Sequence, residues 1–345
     1  MERYVGMDVH GDSCTALSMS AGGKRHRQDV IETNGQALLE YVSQLSGSVH
    51  LCIEETEWSS WLWEVLSPHV TEMVVVRGEK RQGASKSDAL DALALAERLR
   101  TNRLGHPVYK APRAFAKLRE QAQVYWGVTQ DLTRSKNRLK SAFRRRGVRC
   151  DDTSVYTTKG RASRLRQLPA ALRDAAALLG DQVDHLIELK AQVESSLIEE
   201  SHRHKISHIL ETIPGLGEIR VAQLLPIVVT PHRFRTKRQF WCYCGFGIVT
   251  HSSADWVRTD RQWVRSRQPQ TRGLNKNRNP RLKMIFKGAA TKVIHPASRN
   301  AFHTAYDHLC EQGTKPNLAK VTVARKLAAT TLTMWKNEEV YDPER

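Results

Sequence analysis

The chain has 345 residues and a mass of 39.2 kDa, enough for two or three domains with a real core. Its 40% hydrophobic and 26% charged residues exclude wholesale disorder, and no apolar run approaches the ~20 residues of a membrane span. Lys and Arg number 54 against 36 Asp and Glu, a formal net charge of +18 that asks for a polyanionic partner. The excess is local. Residues 113–149 carry eleven basic and two acidic side chains, residues 232–292 carry fifteen and two, and the rest of the chain is net acidic by four. Two such patches suit a phosphate backbone. A membrane surface fits poorly, because no amphipathic anchor accompanies them. Six scattered cysteines make no disulfide framework. The start Met1-Glu2-Arg3-Tyr4 has no secretory apolar segment, so a cytoplasmic location is expected.

Residues 3–10 read as a short strand, followed by strands at 14–20 and 27–31 around a turn at 21–24. Helical spacing at 35–46 precedes an apolar strand at 49–53 that ends in Glu54-Glu55. A helix at 59–67 and a strand at 72–76 follow. Residues 86–100 are dense in helix formers, with Ala89, Leu90, Ala92, Leu93, Leu95, Ala96 and Leu99 apolar. Strands first, then strands alternating with helices, means a mixed sheet with helices packed on it. Pro107 and Pro112 mark a boundary. A long basic helix is expected at 113–146 and another at 170–211. In the second, Leu172, Ala176, Leu179, Val183, Leu186, Lys190, Val193 and Leu197 step by four and three, as a coiled-coil seam does. Beyond 212 the chain reads as mainly helical, at 218–226, 236–244, 280–294 and 315–336, with 248–265 Trp-rich and irregular.

Four carboxylates stand out. Asp8 lies mid-strand between Met7 and Val9, where a lone buried charge is costly unless paired or bound to a cation. Glu54 ends a later strand. Asp88 and Asp91, three apart on a helix, share a face with Cβ atoms about 5–6 Å apart. Brought together they repel, and hard divalent ions relieve that repulsion. A pair of such ions serves phosphodiester displacement. Each residue alone has an ordinary reading, as a solvated strand end or a helix N-terminal carboxylate. The order Asp, Glu, Asp-x-x-Asp is more specific. His10, two residues after Asp8, points to the same side.

Val5-Gly6-Met7-Asp8-Val9-His10, Ile53-Glu54-Glu55-Thr56 and Lys86-Ser87-Asp88-Ala89-Leu90-Asp91-Ala92 together resemble the RuvC-like DEDD domain of Piv-type DNA invertases and related insertion-sequence transposases. The resemblance puts Glu54 in the acidic position with Glu55 beside it, a swap between the two staying open. Gly245-Phe246-Gly247 through Ser252-Ser253-Ala254, and Lys276-Asn277-Arg278-Asn279 with Leu282-Lys283, resemble the second, serine-bearing domain of that family. Ala254, Ile248 and Arg278 depart from its pattern. By count from Gly245 the family's serine falls on Ser253, with Ser252 the alternative. The C-terminal 323–328 also resembles the family's closing helix.

The resemblance implies an RNase H-like (RuvC-like) α/β domain at 1–106, a helical coiled-coil spacer at 107–205 and an α-rich serine-bearing transposase domain at 206–345. It implies a DNA recombinase of a bacterial insertion sequence: Asp8, Glu54, Asp88 and Asp91 binding two Mg²⁺ ions (or Mn²⁺), and Ser253 forming a phosphoserine with DNA, in a site composed from two domains and from one or two subunits. It also implies double-stranded DNA at the element ends and target, a structured guide RNA, and a homodimer or homotetramer. Ile213-Pro214-Gly215-Leu216-Gly217 has the form of a helix-hairpin-helix turn, which either holds a phosphate at its amides or simply turns the chain. Tyr125, Trp126, Trp241, Trp256 and Trp263 lie in or beside the basic patches, as stacking platforms or as core. Cys242-Tyr243-Cys244 with His303, His308 and Cys310 matches no common zinc spacing. His202, His204 and His208 read as solvated. The competing functions are a Holliday-junction-type nuclease using the four carboxylates alone, a sugar-kinase-like ATPase, which needs further Gly-rich loops the chain lacks, and a non-catalytic nucleic-acid-binding protein.

Overall fold

The computed structural model describes residues 1–78, 87–105, 107–251, 256–265 and 270–343. The chain divides into two compact units, Met1–Ala114 and Phe115–Arg345.

The first unit is built on five strands: β1 (Glu2–Val9), β2 (Ser13–Ser20), β3 (Arg25–Glu32), β4 (Ser48–Glu54) and β5 (Glu72–Val76). Their spatial order is β3-β2-β1-β4-β5, with β1–β2 and β2–β3 antiparallel and β1–β4 and β4–β5 parallel. The period-2 alternation of β1 sends Val5, Met7 and Val9 to one face. There they join Leu51 and Ile53 of β4 and Met73 and Val75 of β5, covered by helices α1 (Gly35–Ser43) and α2 (Ser59–Leu66). The other face carries Gly6 and Asp8 and takes one helix, α3 (Asp88–Arg100), whose Ala92, Ala96, Leu95 and Leu99 pack on Leu17, Met19, Cys52 and Val76. This three-layer mixed α/β unit is RNase H-like in strand order.

Gly6 sets the distance between that helix and the sheet. A Cβ there would lie 2.0 Å from the Ala92 carbonyl oxygen and 2.4 Å from the Ala96 amide nitrogen. Backbone therefore rests on backbone, with only alanines between. Ser87 caps α3, its side chain accepting from the Leu90 amide at 3.3 Å. At the opposite end of the sheet His50 lies between Glu72 (2.8 Å) and Glu2 and stacks on Tyr4. Burial opposes its protonation, but the hydrogen bonds it donates to the Glu72 and Glu2 carboxylates outweigh that and raise its pKa.

The second unit is mainly helical. Its helices α4 (Ala116–Arg144) and α6 (Ala170–His202) run side by side, joined through α5 (Thr158–Arg166). Leu132, Leu139 and Phe143 of α4 meet Ala176 and Val183 of α6 in a local core. Of the expected seam, Ala176, Val183 and Leu197 are buried and Leu179, Leu186 and Val193 half-buried. Arg161 of α5 is itself buried and forks onto Asp184; it fits because Gly180 has no Cβ, which would come within 2.5 Å of its stem. The larger core gathers α7 (Ile206–Glu211), α8 (Gly217–Val228), α9 (Lys237–Tyr243), α10 (Pro280–Val293), α11 (Ala301–Glu311) and α12 (Pro316–Asn337) around Phe240, Phe246 and Phe286.

Two expectations are corrected. The helix expected at 170–211 breaks after His202 and resumes at Ile206. The Trp-rich stretch is not irregular: β6 (Ile248–His251) pairs with β9 (Gln270–Leu274), and β7 (Trp256–Thr259) with β8 (Gln262–Arg265). The β7–β8 turn is made by Asp260 and Arg261, both at positive φ, as a tight two-residue hairpin requires. The turn at Gly215, left open between phosphate binding and simple reversal, packs closely on the core. Gly215 has φ +82°, and a Cβ would lie 2.7 Å from Val293 and 2.8 Å from the Ala289 carbonyl oxygen. No described helix is long and apolar enough to cross a membrane.

The Gly6 contact yields a test. Gly6→Ala overpacks two backbones, so it should cost about 3 kcal/mol or more, read as a lower denaturation midpoint. Gly22→Ala, whose Cβ meets only a side chain at 3.9 Å, should change it little.

Candidate active site

Asp8 is the next residue on the face that begins at Gly6, so the strand that accepts the helix also aims this carboxylate along it. Only 16% of its side chain is exposed. Helix α3 begins beside it. Asp88 is the first helical residue and Asp91 lies one turn on, its amide donating to the Ser87 carbonyl at 3.0 Å. Both carboxylates sit in the first turn, where the helix dipole favours negative charge. The His10 ring bridges the two elements: its Nε2 is 3.3 Å from Asp8 Oδ2 and 3.4 Å from Asp88 Oδ1. The His10 backbone is fixed by its amide donating to Ser13 O (3.1 Å) and its carbonyl accepting from Thr33 Oγ1 (2.9 Å).

Glu54 ends β4 on the same sheet face as Asp8, since Met7 pairs with Ile53 and the pleat alternates. The Gly78 backbone crowds its carboxylate, with a Cβ position 3.0 Å from Glu54 Oε2. Glu55 turns elsewhere: its Oε1 is 3.9 Å from Lys110 Nζ, which donates to Ser59 Oγ at 2.7 Å. Asp8, Glu54 and the start of α3 thus gather at the carboxyl ends of neighbouring parallel strands, where open α/β sheets bind ligands.

Electrostatics agree with this geometry. Burial raises the Asp8 pKa; the neighbouring charges of Asp88 and Asp91 raise it further, and His10 opposes. A carboxylate that is half-buried and repelled by two others has the environment a divalent cation neutralises. Asp8, His10 and Asp88 offer one ligand atom each within 4.8 Å of one another. The donor set is mostly carboxylate oxygen, which fits a hard ion, with one imidazole that Mn²⁺ also accepts.

The two serines expected to carry the covalent step, Ser252 and Ser253, lie outside the described residues, between β6 and β7. The aromatic candidates divide. Tyr125 and Trp126 are core, Trp126 donating to Gln223 Oε1 at 2.8 Å with Arg281 3.8 Å over its ring. Trp241 is half-buried and donates to the Arg325 carbonyl. Trp256 and Trp263 are 57% and 66% exposed. Cys244 is a core thiol, and Cys242 is exposed.

Residues 5–146 match the family model for DEDD transposases of the IS110 type, and residues 207–307 match the model for transposases of the IS116/IS110/IS902 family. The chain carries the DEDD transposase domains of this family. It is a DNA transposase, an enzyme that acts on DNA. Comparison with curated proteins gave no match. The first model spans β1 from Val5 onward, strands β2 to β5, helix α3 and helix α4 of the transposase. Transposases of the DEDD type generally use a divalent metal.

One consequence concerns Asp8. Its folded-state pKa lies above the unfolded value of ~3.9, so the ionised carboxylate penalises the metal-free fold at neutral pH. The penalty fades as pH falls through the raised pKa. In chelator at pH 7, Asp8→Asn should therefore melt higher than the native protein, with the gap closing in acid. Adding Mg²⁺ should raise the native melting temperature and leave the variant nearly unmoved. A variant that melts lower at pH 7 contradicts the account.

Proposed function

We propose that this transposase excises and inserts a bacterial insertion sequence by Mg²⁺-dependent transesterification through a phosphoserine at Ser253, working in the cytoplasm. The observation that carries the reading is the meeting of Asp8, His10 and Asp88 beside the Glu54 face, at the end of the sheet. Asp8, Glu54, Asp88 and Asp91 hold the metal, two Mg²⁺ ions with Mn²⁺ as substitute. The ions would lower the pKa of an attacking oxygen and stabilise a leaving one.

The Ser253 hydroxyl attacks a DNA phosphodiester. The serine gives up its proton as its O–P bond forms, the bond to one DNA oxygen breaks, and that oxygen takes up a proton as it leaves. A hydroxyl of the incoming strand later displaces the serine, restoring it and closing the new DNA bond. A serine hydroxyl needs such an activated setting to react.

The basic patches support contacts to phosphate backbone. They suit a protein whose target choice is delegated to base pairing by a structured guide RNA. Domains at 1–106, 107–205 and 206–345 belong to this reading, with the α4–α6 pairing as a coiled-coil spacer and a homodimer or homotetramer as the working assembly. The β7–β8 hairpin is the part best formed to stack on nucleotides. Its Trp256 and Arg258 share one face, Arg258 lies opposite Trp263, and both tryptophans are exposed.

A nuclease that uses the carboxylates alone is the competing reading, favoured by the fact that all four belong to the first unit. Ser253→Ala separates the two. Strand exchange and the covalent protein–DNA adduct should both be lost, with Ser252→Ala retaining them, and chelator should stop either protein. Continued metal-dependent cutting by Ser253→Ala would leave the nuclease reading standing.

The hairpin gives a second expectation. Trp256→Ala with Trp263→Ala should weaken nucleic-acid binding by about 1–3 kcal/mol per stacked base, read by fluorescence anisotropy, with unchanged thermal stability.

A further inference from the structure

The break between α6 and α7 turns two helix ends toward each other. His202 is the last residue of α6; His208 and Glu211 sit three apart on α7. The break brings the two imidazoles together, with ring centroids 4.8 Å apart and the planes tilted by 32°. The Glu211 carboxylate reaches both: Oε1 is 3.0 Å from His202 Nε2 and Oε2 is 3.9 Å from His208 Nδ1. One ligand atom from each of the three lies within 4.8 Å of the others. His204 takes no part, since its ring stacks on Phe115. The expectation that all three histidines are merely solvated is corrected here.

We propose that His202, His208 and Glu211 bind a divalent transition-metal ion, Zn²⁺ by preference, as a clip between the end of the long helix and the start of the helical core. A tetrahedral ion with bonds of ~2.0–2.2 Å sets its ligands about 3.3–3.6 Å apart. One donor atom from each residue lies within 4.8 Å of the others, so the three must draw together by side-chain rotation to close on an ion. A fourth position is left for water. Two imidazoles and one carboxylate select a borderline ion over Mg²⁺, which distinguishes this cluster from the carboxylate-rich one in the first unit.

The carboxylate is already oriented. Ser207 Oγ donates to Glu211 Oε1 at 2.7 Å and is itself held by Ser201 Oγ at 2.9 Å, both serines being buried. Support of this kind behind a ligand is what metal sites use to fix geometry. Glu211 is 17% and His202 31% exposed, while His208 is 61% exposed, so the cluster is open to an ion from solvent on the His208 side.

The test uses full-length protein carrying Asp8→Asn and Asp88→Asn, which disables the other cluster. It is equilibrated with Zn²⁺, passed through a desalting column and assayed for bound metal. About one zinc per chain and a zinc-dependent rise in melting temperature are expected. Adding either His208→Ala, an exposed position, or Glu211→Gln, which keeps the side chain's shape, should weaken binding at least about tenfold and remove the thermal shift. A parent that retains no zinc at micromolar free metal overturns the proposal. So does equal retention by either added variant.

Discussion

The first unit depends on one close approach. Helix α3 lies on β1 with no side chain at Gly6 and only methyl groups at Ala92 and Ala96 between the two backbones. Packing at that distance leaves little slack. It fixes how far the helix start lies from the strand end, and thus how near Asp88 and Asp91 come to Asp8. A side chain at Gly6 would push the helix outward and dilute the carboxylate cluster, although no acidic residue had changed.

The cluster is maintained against its own charge. Asp8 is half-buried and repelled by Asp88 and Asp91, with His10 alone among the contacts described as counterweight. A protein selected for stability alone would place an amide or an apolar residue there. Local cost of this kind, held in place by the core around it, is typical of sites built to bind a charged ligand. The ordered core beneath it, from Val5 and Met7 to Leu51 and Ile53, supplies the rigidity.

In the second unit the same residue types do opposite work according to burial. Trp126 and Trp263 both lie in strongly basic sequence, yet Trp126 is locked in the core by a hydrogen bond to Gln223 while Trp263 stands on an open hairpin. Gly215, in a turn with the look of a phosphate-binding one, makes the close approach to α10. The arginines divide likewise: Arg161 is buried on Asp184 and holds two helices together, so the net positive charge overstates how many cations face a partner.

The linear order of residues determined a good deal. The five strands of the first unit, the alternation that puts Gly6 and Asp8 on one face, and the helix carrying Asp88 and Asp91 were all legible, because period-2 and period-3.6 patterns are local. Glu54 was distinguishable from Glu55 only through the pleat and Lys110, which requires the folded sheet. Strands β6 to β9 escaped notice because they are short, rich in Arg and Trp, and without clear alternation. What tertiary structure alone decided is convergence. His10 touches Asp88 across a sequence gap of 78 residues, and His202 meets His208 and Glu211 because the helix breaks between them. Chain reversals and close backbone contacts bring such groups together, and no periodicity encodes them.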